Sequence, residues 1–195
     1  YERVLAYLKP KYLLGLTATP ERADGQDVRE WFGGRTAVEL RLWDALEQEL
    51  LSPFHYFGIH DGTDLRDVSW RRGRGYDSDE LTNVYTADHI WAGKIVEAVR
   101  DKVGSPSAMR ALGFCVSVAH ARFMAERFES AGLRAVAVTG DTPAGEREAA
   151  LRNLRDGSIQ ALFTVDLFNE GVDIPAIDTV LMLRPTESAT VFLQQ

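Results

Sequence analysis

The chain has 195 residues, with 22 Lys and Arg against 29 Asp and Glu and a formal net charge of −7. A single cysteine excludes an internal disulfide and a Cys-based zinc cluster, and no run approaches the ~18 apolar residues of a membrane-spanning helix. The length is that of one domain, or one plus part of a second, and net acidity alone gives no reason to expect nucleic acid as a ligand.

Tyr1 to Leu8 reads as the tail of a helix, and the sequence stops at Gln194-Gln195 in mid-pattern. The chain is therefore expected to be a piece of a longer protein. Tyr12 to Leu16 is a short apolar run ending in Thr17-Ala18-Thr19-Pro20, which predicts a buried strand stopped by proline. A polar stretch from Glu21 to Arg35 follows, broken at Gly33-Gly34. Leu42, Ala45, Leu46, Glu49 and Leu50 recur at helical spacing, so a helix is expected over Leu42 to Leu51, ended by Ser52-Pro53. Phe54 to His60 then reads as an aromatic-rich strand.

Asp61 to Asp79 is rich in Gly and Arg and poor in aliphatics, the composition of a connector or exposed loop. Within it, Trp70-Arg71-Arg72-Gly73-Arg74-Gly75-Tyr76 interleaves aromatic and basic residues. That pattern fits a single-strand contact or a solvated connector equally well. Trp91, Ile95, Ala98, Val99 and Val103 predict a helix over Ala87 to Val103.

From Arg110 the pattern becomes regular. Strands are expected at Ala111 to Val116, Ala135 to Val138, Ile159 to Val165 and Thr179 to Leu183. Between them, Ser117 caps a helix whose inner face carries Phe123, Met124, Phe128 and Ala131 and which ends before Gly132. Thr142-Pro143 opens a second helix with Ala150, Leu151 and Leu154 inside. Apolar strands alternating with short helices predict an open α/β domain with a parallel sheet. In such sheets ligands bind at the carboxyl ends of the strands. The residues there are Thr17 to Thr19, Ser117, Thr139-Gly140-Asp141 and Asp166 to Pro175, with hydroxyls, Gly and Asp suited to phosphate and ribose oxygens.

Other chemistry-bearing residues fit bland roles. His55 and His60, five apart on one expected strand, point to opposite faces and make no metal pair. His89 and His120 sit near helix starts and are expected at the surface. Cys115 lies within an apolar strand as a small core residue. Gly93-Lys94 lies inside the helix expected after Ala87, with Lys94 on its solvated face, and no G-x-x-x-x-G-K-[ST] phosphate loop occurs.

Taken together, Thr17-Ala18-Thr19-Pro20, the strand Leu112 to Val118, Gly140-Asp141 through Arg147, Asn169-Glu170-Gly171-Val172-Asp173-Ile174-Pro175 and Gln194-Gln195 resemble, in that order, motifs III to VI of superfamily 2 DNA/RNA helicases. The match is to their type III restriction-like, DEAD/DEAH-related branch. The resemblance implies a parallel-sheet RecA-like fold of P-loop NTPase type. Residues 1–20 would end a first RecA-like domain, 21–83 would form a connector with a helix and a strand, and 84–195 a truncated C-terminal helicase domain.

The resemblance also implies roles. Thr17 and Thr19 would couple nucleotide state to strand movement. Ser117, Gly140, Arg147 and Thr164 would follow the nucleic-acid backbone. Glu170, Gly171, Asp173 and Gln194 would face the nucleotide across an interdomain cleft, with Asp173 at the ribose. Ala144 replaces a glutamine common in relatives three residues before Arg147. The implied parent is a cytoplasmic ATP-dependent helicase that uses ATP with Mg2+ and acts on DNA or RNA together with its other helicase domain. This piece lacks the phosphate loop, the acidic metal box and the transferring-phosphate arginines, so by itself it is expected to be inactive and to bind no metal. The rival reading is a non-catalytic nucleic-acid-binding module on the same fold.

Overall fold

The parallel sheet expected after Arg110 is present. A computed structural model of the chain describes residues 2–17, 27–71, 75–87, 89–168 and 174–185. Strands β3 (Ala111–Phe114), β4 (Ala135–Val138), β5 (Ala161–Thr164) and β6 (Thr179–Met182) form a four-stranded sheet in the order β4-β5-β3-β6. Every pairing is parallel, with Phe114 opposite both Thr164 and Met182, and Val138 opposite Thr164. The central strands β3 and β5 are buried at every position, whereas β6 at the edge alternates half-buried with exposed.

Alternation along the strands divides the core in two. Leu112, Phe114 and Leu162 face one way and pack with Val138, Ala150, Leu154 and Ile159, so the inner stripe of α6 (Ala144–Asp156) covers that face. Ala111, Cys115, Ala161 and Phe163 face the other way. That side is covered by α3 (Ser78–Ala87), α4 (His89–Lys102) and α5 (Val118–Ser130). Phe128 of α5 meets Phe163 edge-on, with ring centroids 4.9 Å apart.

The helix limits follow cap chemistry. The Ser117 hydroxyl accepts the His120 N–H at 3.2 Å and starts α5. Gly132, at φ +82°, lets the Leu133 N–H return to the Phe128 carbonyl at 2.9 Å. Gly157, also at φ +82°, closes α6. The helix after Thr142 starts one position later than expected: Pro143 is its cap residue, and the Thr142 hydroxyl instead accepts the Thr139 N–H at 2.9 Å.

The chain forms two compact units, Tyr1–Phe57 and Gly58–Gln195. The first contains α1 (Glu2–Leu8), a 3-10 turn over Val28–Phe32 capped by the Asp27 carboxylate, and α2 (Leu42–Glu47). Several expectations fail here and at the start of the second unit. Tyr12 to Leu16 and Phe54 to His60 are not strands, and Tyr12, Leu16 and Phe54 are exposed. A strand exists only by hydrogen bonding to a neighbour, and among the described residues neither run has one. Helix α2 ends at Glu47 rather than Leu51, because Glu49 turns left-handed (φ +57°) and the Leu50 N–H bonds to the Ala45 carbonyl.

The expected connector is more ordered than its composition implied. It contains the hairpin β1 (Trp70–Arg71) and β2 (Gly75–Tyr76), with Trp70 opposite Tyr76, and the beginning of α3. Glu80 holds this hairpin by accepting from the Ser69 N–H and hydroxyl. The single helix expected over Ala87 to Val103 is α4 alone, preceded by α3, whose Leu81 and Tyr85 are buried.

Candidate functional site

The parallel register brings Val138, Thr164, Phe114 and Met182 into one row, so the residues that follow them share one edge of the sheet. At the end of β3, Ser117 is half-buried, and its oxygen is 2.7 Å from the Thr82 hydroxyl of α3. At the end of β4, Thr139 to Thr142 form a tight turn closed by the Thr142 N–H to Thr139 carbonyl bond at 3.0 Å. Gly140 is exposed on that turn, and a Cβ there would meet nothing within 4 Å. Arg147, from the first turns of α6, curls back so that one Nη donates to the carbonyls of Thr142 (3.3 Å) and Gly140 (3.5 Å). Its Nε–H is buried without a partner. Gly140 and Arg147 therefore stand together, and Ser117 stands two strands away, about 10 Å by ordinary strand spacing.

Thr164 is fully buried, with its hydroxyl donating to the Val165 carbonyl at 3.3 Å. Thr17 is exposed in an irregular segment of the first unit. Thr19, Glu170, Gly171, Asp173 and Gln194 lie outside the described residues.

Two residues at this edge, Arg184 and Thr82, escaped the sequence reading. Arg184, just past β6, places its guanidinium 2.5 Å from the exposed Asp166 carboxylate while its own side chain is largely buried. Asp166 (φ +37°) and Phe168 (φ +67°) both take left-handed backbone without being glycine, which strains the turn after β5. Thr82 was hidden in a helix of low hydrophobicity. His120, expected at the surface, is completely buried. It lies against Tyr85 and Trp91, with ring centroids at 5.2 and 5.4 Å, and its Nδ1 accepts the Val116 N–H at 3.3 Å. The helical turn after Ser117 points this position inward, which no periodicity of a polar residue announces.

The same packing sets the charges. Burial pushes the His120 pKa down to about 4 and the Cys115 thiol up, the latter opposed by Arg184. Burial, then the Asp61 charge, raises Tyr85 to about 12. Burial works against charge on Asp61 itself, but hydrogen bonds from the Thr63 N–H and the Trp91 indole outweigh it and hold the carboxyl below its usual range. Lys94 is exposed on α4, as expected, and donates to the Asp61 carbonyl at 2.5 Å. His89 is exposed, and no strand relates His55 to His60. Among the described residues, no group of three or more His, Cys, Asp or Glu could hold a metal ion.

The part of the chain that carries this sheet has a match among known families. Residues 94–195, just over half the chain, match the helicase conserved C-terminal domain. The chain belongs to that family. Over all 195 residues it is 27% identical to a 51.5 kDa protein of a Lactococcus phage, of which it covers 41%. It is also 25% identical over 182 residues, 93% of the chain, to the candidate ATP-dependent helicase IRC3 of Saccharomyces cerevisiae, of which it covers 26%. The chain thus spans less than half of either relative. Among solved structures, the helicase domain of Pyrococcus furiosus Hef is similar over 62% of this chain and 23% of its own, at 19% identity and a TM-score of 0.42. The superfamily 2 resemblance read from the motifs and the family match agree, and the observed parallel α/β sheet is the fold that the resemblance implied.

Proposed function

We propose that this helicase C-terminal domain is part of an ATP-dependent helicase or translocase acting on DNA or RNA, and that its sheet edge grips the nucleic-acid backbone. The observation that carries this reading is the pairing of Gly140 and Arg147 on one turn, with Ser117 capping α5 two strands away along the same edge. Backbone N–H groups, hydroxyls and a guanidinium arranged in a row are the donors that phosphate oxygens accept from. Thr164 would brace that row. Glu170, Gly171, Asp173 and Gln194 would form one wall of a nucleotide cleft, and Thr17 and Thr19 would couple the two.

The same reading divides the chain into the end of a first RecA-like domain (1–20), a connector (21–83) and the second domain (84–195), in a cytoplasmic protein. ATP with Mg2+ would supply the energy of translocation. By the same resemblance, magnesium would be held by residues elsewhere in the parent protein. This chain alone would not hydrolyse ATP.

The test is binding of a fluorescent single-stranded oligonucleotide across a salt series. Arg147→Ala should weaken binding several-fold and flatten the salt slope by about one. Arg155→Ala, exposed later on the same helix, should leave both unchanged. Equal losses at Arg147 and Arg155 would reduce the effect to general charge and overturn the edge contact. Robust phosphate release by the isolated chain would overturn its division of labour with the rest of the parent.

A further inference from the structure

Ser117 shares its hydroxyl with a residue far off in the sequence. Its Oγ lies 2.7 Å from Thr82 Oγ1 on α3. Thr82 Oγ1 is also 2.6 Å from the Ser78 carbonyl oxygen, while Ser117 Oγ accepts the His120 N–H at 3.2 Å. The carbonyl can only accept and the amide can only donate, so the two hydroxyl protons are the only movable parts. If Thr82 donates to Ser78, its proton is used within α3 and the Ser117 oxygen accepts only from the His120 N–H. If Thr82 turns to donate to Ser117, the serine oxygen accepts from two donors and its own proton is free for an outside acceptor. The Ser78 carbonyl loses little by this, because it keeps its place in the backbone ladder of α3.

We propose that Thr82 is a positioning residue for strand binding, resting on the reading of Ser117 as a backbone contact. Its hydroxyl turns from Ser78 to Ser117 when a phosphate oxygen arrives, and Ser117 then donates to that phosphate. An anionic acceptor draws the serine proton outward, and a hydroxyl that is itself accepting is the stronger donor. The relay also explains why a threonine hydroxyl on α3 is aimed at the cap of another helix when the Ser78 carbonyl alone would satisfy it. No atom is consumed and no charge moves; two O–H bonds rotate.

The experiment measures the affinity of the intact protein for a single-stranded oligonucleotide by fluorescence anisotropy, in a double-mutant cycle. Thr82→Val keeps the side chain's shape and removes its hydroxyl, and should weaken binding by about three- to tenfold. Thr82→Ser restores the hydroxyl and should stay within about twofold of the native protein. In a Ser117→Ala background, Thr82→Val should add nothing, because the group it serves is gone. If the two losses multiply, or if Thr82→Ser is as weak as Thr82→Val, Thr82 merely packs α3 against α5 and the relay is wrong. If Ser117→Ala leaves affinity unchanged while Arg147→Ala lowers it, the strand contact at Ser117 fails and takes the relay with it, with the rest of the edge intact. Should Thr82→Val not fold, Thr82→Ala replaces it in the same cycle.

Discussion

At the scale of single residues, His120 carries the sharpest physical consequence. Its Nδ1 accepts a backbone N–H, so the neutral ring holds its proton on Nε2, and that atom is buried without a hydrogen-bond partner. Tyr85 stacks on the imidazole and Trp91 lies tilted beside it. Protonation would put a second proton on Nδ1 against the Val116 N–H and a charge into the core. The folded-state pKa of about 4 lies below the unfolded value of 6.5, so between these values the unfolded chain binds more protons. Stability therefore falls as pH drops from 6.5 to 4 and levels off below, by about 3 kcal/mol from this residue. Urea unfolding at pH 7 and pH 4.5 should show this loss, and His120→Gln should remove most of the difference. An equal pH dependence in the variant would assign the effect elsewhere.

At the scale of elements, the β3 and β5 pair shows how tightly the sheet is packed. Gly113 stands opposite Phe163, and a Cβ at Gly113 would press into the Phe163 ring, 2.6 Å from Cε1. That ring is fully buried against Phe128, so it has nowhere to move. Gly113→Ala should cost about 1–3 kcal/mol as overpacking, read as a lower thermal midpoint; a midpoint unchanged or raised would show that the ring yields. The four sheet strands were legible because continuous apolar runs between cap and turn residues have one ready explanation, a strand buried on both faces. The same logic failed at Tyr12 to Leu16 and Phe54 to His60. An apolar run says that a segment can pair, and pairing depends on what lies beside it. Helix α3 was missed for the opposite reason. Ser-Asp-Glu-Leu-Thr-Asn-Val-Tyr buries only Leu81 and Tyr85, and two apolar positions one turn apart do not stand out from a polar connector.

At the scale of the whole molecule, both hydrophobic clusters draw their residues from position 65 onward. Residues 58–195 should therefore unfold cooperatively by themselves, with a urea midpoint close to that of the whole chain. A broad, non-cooperative transition would show that the first 57 residues contribute to the core. The net acidity read at the outset does not conflict with the proposed strand contact, because that contact would need a few placed donors rather than a basic face.

Sequence by itself determined the parallel α/β class, the helix ends at Ser117 and Gly132, the core role of Cys115 and the helicase family, because these depend on local periodicity and on motifs whose spacing survives in one dimension. Tertiary structure alone decided that Arg147 folds back onto the Gly140 turn, that Thr82 meets Ser117, that Arg184 holds Asp166 and that His120 is buried. Each of these depends on which groups meet in space, which their separation along the chain does not announce.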